Sequence, residues 1–476
     1  MMNSMIKENG VTFKDLEKNI YAWVCQIGRD FTKEFLERYD RMLMEERDKK
    51  RYRNKGGRQT TVKTVYGEVT YQRTVYEVVE EDGLKRFVYL LDEMLELDHI
   101  GLISTNMAEL LVKGITELSY RECASQVSEM TGQTISAMGV WNVIQALGEK
   151  VCEEEAELTD AYKNGHVKGE KEAPVLFEEA DGVYVNLQGK DRKKEKQDKA
   201  EIKVGIAYDG WRKTGPERYA LENKVVVAGF SKAKDFQEYR EAAIAKEFNL
   251  DEVSQRILNA DGASWIKKVK DKSTCFQLDP FHRNKVVKEK IYEKAAQEAI
   301  LELLREENIE ELFRYLDIYR NSLSDDNEIE DAEELIRYYT NNREGLLPYQ
   351  SQGLELPEPP EGLEYRNMGT MENHVWSVIA KRMKHGHRSW SKRGGNHLAK
   401  ILAKKCSGKL YEVTERLRRP VFEEEKVEEL YGKILTSAKT PKKDGKGYEY
   451  PKIGHVVGLD GKIQGERKRL LHMAGY

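Results

Sequence analysis

Residues 12 to 48 carry apolar positions at spacings of three and four, which predicts one or two amphipathic helices within an N-terminal helical region, 1 to 56. From Thr60 to Leu91 the texture changes to alternating Val, Thr and Tyr. Turn signals at Tyr66-Gly67 and Asp82-Gly83 then predict a small antiparallel β region within 57 to 100. Residues 103 to 149 return to helical spacing. Two short helices around Thr131-Gly132-Gln133-Thr134, the second from about Ile135 to Leu147, have the layout of a helix-turn-helix in a region bounded by 101 and 150. A purely structural helical pair fits the same pattern. Residues 150 to 172 read as a charged linker.

The centre alternates differently. Runs at 173–189, 199–211 and 219–230 predict three strands in an antiparallel meander. A helix over about 232–247 follows, then a strand ending at Asp261-Gly262, a helix, a strand at 273–278 and a long helix from about Asp279. That order predicts a mixed sheet with helices on its faces, the order of the α/β ribonuclease-H-like fold, with 173–285 as its first part. Residues 286–365 read as an acidic all-helical insertion that returns through a Pro-rich connection. Residues 366–420 complete the core with a basic helix from about Met371, and 421–476 form a charged tail.

Composition adds charge and compartment. The chain has 476 residues and a net charge of −4, but 291–365 holds 20 acidic against 6 basic residues. Lys381–Arg419 holds 13 basic against 2 acidic, and Arg41–Lys63 holds 9 against 3. Two basic zones around one acidic segment point to a polyanion partner, while solvated helix faces are the plainer reading of either zone alone. No apolar run approaches the roughly 20 residues that span a bilayer. Five scattered cysteines without a CxxC pair suggest reduced thiols and a cytoplasmic protein with no membrane partner.

The candidate chemistry lies in carboxylates. Asp181 sits in the alternating run FEEADGVYV, Asp261 ends the strand in ILNADGAS, and Glu372 begins the helix MENHVWSVIAKRM. In a mixed sheet of this order the two Asp strands lie side by side, and the helix could bring the third carboxylate across them. Three such groups at one point repel unless cations are bound. Hard oxygen ligands select Mg²⁺ or Mn²⁺, and two such ions suit phosphodiester chemistry.

The segments EADGVYV, LNADGASWIKK and MGTMENHVWSVIAKRMKHGHRSWSKRGGNHLAKIL resemble the ISLre-type insertion-sequence transposases, a bacterial group similar to the Mutator-like transposases, over nearly the whole chain. The resemblance implies a ribonuclease-H-like core interrupted by helices, a DDE triad at Asp181, Asp261 and Glu372, and two Mg²⁺ or Mn²⁺ ions. It also implies double-stranded DNA, the element's ends and its target, as partner, and a homo-oligomer associated with the nucleoid. One departure is plain. Mutator-like enzymes carry Cys-x2-His after the second Asp, whereas here six residues lie between Cys275 and His282, which argues against a zinc-type ligand pair.

His282 and Arg283 are read as DNA contacts, with a buried hydrogen-bonding role as the alternative for His282. Lys381, Arg382, Lys384, Arg388, Lys392 and Arg393 would line DNA beside the site. Trp376 and Trp390 are read as core residues, with base stacking as the alternative. His374, His385, His387 and His397 lack the spacing of a helical metal pair and read as phosphate or structural contacts. Besides an active transposase, a nuclease that does not join strands and a catalytically silent DNA-binding regulator remain open.

Overall fold

The computed structural model describes residues 12–79, 83–95, 102–195, 198–267, 274–386, 388–418 and 420–439. Its N-terminal helix is single: α1 (Phe13–Glu46), with Thr12 as side-chain N-cap. The strands β1 (Arg53–Thr64), β2 (Gly67–Val79) and β3 (Lys85–Val88) form an antiparallel sheet in the order β1-β2-β3, followed by the short α2 (Leu90–Leu95). Phe35, Leu36 and Tyr39 of α1 pack on Val62, Val69 and Tyr71 of this sheet. Asp40 of α1 accepts hydrogen bonds from the Thr74 amide and hydroxyl, which fixes the helix on β2.

Three helices follow, α3 (Thr105–Ile115), α4 (Tyr120–Thr131) and α5 (Ala137–Lys163). Ser119 and Glu122 form a capping box at the start of α4, and Gly132 ends it at φ 64°. The second helix of the expected helix-turn-helix is much longer than the sequence pattern suggested. Its 27 residues end at Lys163, inside the stretch read as a linker, because Leu147, Val151 and Glu155 continue its buried face.

The central sheet is built from β4 (Val175–Leu187) and, after the short α6 (Gly189–Glu195), β5 (Lys199–Tyr208). The hairpin β6 (Trp211–Gly215) and β7 (Arg218–Leu221) comes next, then β8 (Val225–Gly229), α7 (Ala233–Glu247) and β9 (Gln255–Ala260). After α8 (Ser264–Lys267), β10 (Cys275–Leu278) leads into α9 (Pro280–Lys290). Strand order is β10-β9-β4-β5-β8, with β4, β5 and β8 antiparallel to one another in turn and β9 and β10 parallel to β4. The expected third meander strand is therefore split. Its residues 219–221 belong to β7, in a separate small sheet with β6 and β11 (Leu363–Glu364), and only β8 joins the main sheet.

Side-chain alternation along β4 gives the sheet two buried faces. Phe177, Val183 and Val185 share a core with α3–α5 and the C-terminal helices, while Leu176 faces Phe236 and Ile244 of α7. On the α7 side Glu178 is buried between Arg240 and Arg256. Burial pushes its carboxyl up, but the two guanidiniums reverse this and hold it low.

The acidic segment forms α10 (Lys294–Arg305), α11 (Ile309–Ser322) and α12 (Asp326–Asn341), whose core merges with Leu258, Phe276 and Leu278 of the sheet. The return path enters α13 (Met371–Val375), a π-helical turn at Trp376–Ala380 and α14 (Lys381–Met383). The basic stretch is thus not one helix. β12 (Ser389–Trp390) interrupts it by pairing with Asn186 and Leu187 of β4, before α15 (Lys392–Cys406). In the stretch read as a tail, α16 (Glu424–Lys439) packs Leu430 and Ile434 against α1; the tail's remaining residues, 440–476, lie outside the described ones.

Candidate active site

Register sets the site. Ala180, Ala260 and Leu278 are aligned across the parallel strands β4, β9 and β10. The next residue of each is an aspartate, Asp181, Asp261 and Asp279, so three carboxylates stand at adjacent strand positions about 4.8 Å apart in the hydrogen-bonding direction. Asp181 and Asp261 are the two predicted from sequence. Asp279 was missed, because an Asp before Pro at a helix start reads as an N-cap, and it does cap α9 by accepting from the His282 amide at 3.1 Å.

His282 joins the same cluster. Its Nδ1 lies 3.0 Å from Asp279 Oδ2 and its Nε2 3.9 Å from Asp181 Oδ2. If Nδ1 carries the proton toward Asp279, Nε2 faces Asp181. Burial lowers the imidazole's proton affinity, but Asp279, Asp181 and Asp261 outweigh it and raise the pKa. Asp279 is pushed up by burial and pulled lower still by its bonds from His282 and Asn259. Asp181 is pushed up to about 6, first by burial and then by Asp261 and Asp279, against the pull of His282 and the Gly182 amide. Asp261 is raised by burial, with Glu201 and Asp279 adding to it. Three carboxylates against one imidazolium leave the cluster short of positive charge.

One layer deeper runs a buried polar row. Gln277 donates to Asn259 (3.1 Å), and Asn259 donates to both Glu179 (3.0 Å) and Asp279 (2.9 Å). Glu179, fully buried, also accepts from the Tyr208 hydroxyl, the Thr370 hydroxyl, and the amides of Thr370 and Met371. Burial pushes this carboxyl up while the bonds from Thr370, Tyr208 and Asn259 pull it back. Two of its donors are backbone N–H groups at the start of α13, where a carboxylate is favoured by the helix dipole. Sequence reasoning missed Glu179 because nothing distinguishes it locally among 83 acidic residues; its two-residue offset from Asp181, which puts both on one face, was the available signal.

Glu372 therefore rides on a helix tied to β4 two residues before Asp181. Its side chain is exposed and is not gathered with the two aspartates: among the described residues, no three His, Cys, Asp or Glu side chains form a group that could hold a metal ion. Asp181 and Asp261 have the donor chemistry of a hard divalent cation, oxygen ligands at adjacent positions with excess negative charge, and so fit it as a pair. The helical insertion closes over them. Tyr338 donates to the Asp261 carbonyl (2.9 Å), and Gly262, at φ +83°, passes under Asn342 so closely that a Cβ there would stand 2.4 Å from Asn342 Oδ1.

Of the residues expected to line DNA, Lys381, Lys384 and Arg393 are exposed, while others are engaged within the fold. Arg382 is buried, donating to the Ile115 carbonyl and lying 5.3 Å from the Trp390 ring, and burial lowers its pKa to about 10. Arg388 donates to the Lys381 and Arg382 carbonyls and Arg283 to the Leu346 carbonyl, so these three serve the fold. Lys381 pairs with Glu117, and Arg393 with Glu149. The Lys392 amide is held by Asp191, and Lys384 is exposed. Further along the basic run, Lys400, Lys404, Lys405 and Lys409 meet Glu155, Glu412, Glu117 and Glu247, so most of its charge is matched within the protein.

Trp390 is a core residue, its indole N–H bonded to the Met383 carbonyl, whereas Trp376 is 52% exposed and not the core residue expected. His374 bonds the Thr370 carbonyl and His397 bonds Gln145; His385 is exposed and His387 lies outside the described residues. Cys275 does not meet His282; its Sγ lies 3.1 Å from Gln352 Oε1. No helix among the described residues is long and apolar enough to cross a membrane.

Comparison with known proteins bears on the whole chain. A UPF0236 protein of Caldanaerobacter subterraneus, whose printed name joins eleven locus designations of one genome, is 27% identical over 426 residues, covering 87% of this chain and 82% of its own. A second from the same organism, naming four loci, is 26% identical over 85% of this chain and 80% of its own. A Streptococcus gallolyticus relative is 23% identical over 85% of each. Residues 6–419 match the family described as Uncharacterised protein family (UPF0236), and the chain belongs to that family.

Proposed function

We propose that this chain is a DNA transposase with a ribonuclease-H-like core, cutting and joining DNA at the ends of a mobile element. The observation that carries the reading is the pair Asp181 and Asp261, side by side beyond the aligned Ala180 and Ala260, the first buried and the second half-buried, both pushed up in pKa. Strand order β10-β9-β4-β5-β8, with the first three parallel, supports the fold assignment. Eleven loci under one name in a relative's genome support mobility, since copies multiply where a gene moves itself.

Asp181 and Asp261 would hold Mg²⁺ or Mn²⁺, with Glu372 completing the set from α13. Two such ions, when bound, activate a water or 3′-hydroxyl and stabilise the leaving oxygen. The chain's own contribution is positioning. Asp279 orients His282, whose imidazolium offsets charge beside Asp181, and Glu179 seats the helix that carries Glu372. A homo-oligomer follows from the need to hold two DNA ends together.

The test uses duplexes from the DNA flanking this coding region, incubated with Mg²⁺ and the parent, Asp181→Ala, Asp261→Ala or Glu372→Ala proteins, scoring cleavage and strand joining. Loss of both activities in the variants with retained DNA binding is expected, and equal activity in all four proteins overturns the assignment. Cleavage without joining would make the chain a nuclease. The exposed position of Glu372 favours a second reading, a DNA-binding regulator without catalysis, which predicts no Mg²⁺-dependent product from the parent.

A further inference from the structure

Most charge in the C-terminal basic run is answered by acidic partners or spent on backbone carbonyls, and in the second basic zone Lys55 and Lys63 are paired too, yet five cations there are not. Lys49, Lys50, Arg51, Arg53 and Arg58 lie within ten residues and all are exposed; among the described residues, none has a carboxylate within ion-pair distance. Lys55, in their midst, is the member that is paired, to Glu77 at 3.0 Å. Among the described residues, Asp48, which takes the Lys50 and Arg51 amides, and Glu77, across the strand pair from Arg53, offset these five cations in part, so the segment keeps a net positive charge that an external polyanion would satisfy.

The backbone beneath them is shaped for close approach. β1 is the edge strand of its sheet, and its register with β2 shifts between Asn54 and Gly57. Gly56 sits there at φ +95° with nothing within 4 Å of where a Cβ would be. A bulge with paired glycines bends an edge and lets a ligand approach the backbone closely; here the Gly56 amide is taken by Asn54 Oδ1 at 2.7 Å. From Arg53 to Arg58 the strand spans about 16 Å, an axial length over which each DNA strand presents about five phosphates.

We propose that the segment Lys49–Arg58 is a duplex-DNA backbone contact, gripping phosphates without reading bases; this rests on the reading of DNA as the partner. The test measures binding of the full chain to a labelled random-sequence DNA duplex by fluorescence anisotropy over a series of KCl concentrations. The variants are Lys49→Ala/Lys50→Ala/Arg51→Ala/Arg53→Ala/Arg58→Ala and, as a smaller change outside the strand, Lys49→Glu/Lys50→Glu. Lys163→Ala/Lys168→Ala, at two lysines paired to Glu238 and Asp251 outside both basic zones, serves as control, and circular dichroism verifies folding.

At about 0.9 per phosphate contact, the slope of log affinity against log salt should flatten by roughly 4 to 5 in the fivefold variant, with at least about a 100-fold loss at low salt, while the control keeps the parent slope. A fivefold variant with the parent's affinity and slope overturns the contact while leaving the proposed function standing. A parent without DNA affinity overturns both. Tighter binding of an RNA duplex or of anionic vesicles than of DNA, lost in the same variant, overturns DNA as the ligand of this segment.

Discussion

Removing the Glu179 carboxylate tests whether the site depends on a buried anion. In Glu179→Ala the amides of Thr370 and Met371 and the Asn259 side chain lose their acceptor inside the protein, whereas the hydroxyls of Tyr208 and Thr370 can turn to other partners. An unsatisfied buried donor costs about 1–3 kcal/mol, and the vacated volume adds about 2, so a loss of about 5–11 kcal/mol is expected for the three donors if α13 stays in place. Release of α13 into solvent would reduce that loss by hydrating the freed amides. Glu179→Gln should cost less, about 1–3 kcal/mol, because its oxygen can face the three N–H donors while its NH₂ faces the two hydroxyls, leaving only the charge-assisted part lost. Urea denaturation gives the free energies, and hydrogen exchange of the 370–375 amides reports whether the helix detaches. An alanine variant within 1 kcal/mol of the parent, with those amides still protected, would refute the account, as would a glutamine variant as damaged as the alanine one.

Three further outcomes follow from buried contacts elsewhere in the fold. Glu178→Gln strips charge from a carboxylate shared by Arg240 and Arg256 and should cost about 3–5 kcal/mol. Because the pKa of Glu178 is depressed in the fold, its contribution is full above the ordinary carboxylate range and fades as pH falls through the depressed value, so the variant should flatten the acid limb of a stability–pH curve; an unchanged limb contradicts this. Gly262→Ala forces a left-handed backbone and a clash with Asn342, predicting a loss of about 1–3 kcal/mol in a thermal melt, and an unshifted melting temperature would be incompatible with that geometry. Arg382→Met should change stability by no more than about 1 kcal/mol, since it exchanges a buried cation with an unpartnered Nη2 for an apolar chain, and should leave DNA affinity intact. A tenfold loss of affinity would return Arg382 to the nucleic-acid surface.

Much of this arrangement was legible because it is local. Alternation around Asp181 and the Asp261-Gly262 stop marked two strands, and the order of strands and helices put them together. The missed parts depend on distant partners. Asp279 looks like a cap and is one, and its second role appears only when β10 lies beside β9. Glu179 gains its meaning from Thr370 and Met371, nearly 200 residues away. Charge counting located the basic run at 381–419 but could not see that Glu117, Glu149 and Glu155, from α5 and the turn before α4, would answer it. Burial of Arg382 and exposure of Trp376 likewise depend on the π turn and β12, which carry no sequence signature.

The bond from Glu179 to the start of α13 also has a temporal side. About 190 residues separate its two ends, which at roughly 5–20 residues per second takes on the order of ten seconds or more to synthesise. Throughout that interval the nascent sheet holds an acid lacking two of its amide donors. A product terminated before Thr370 would lack both the third candidate carboxylate and the groups that make burial of Glu179 tolerable, so prematurely ended chains should be degraded rather than accumulate as partly working enzyme.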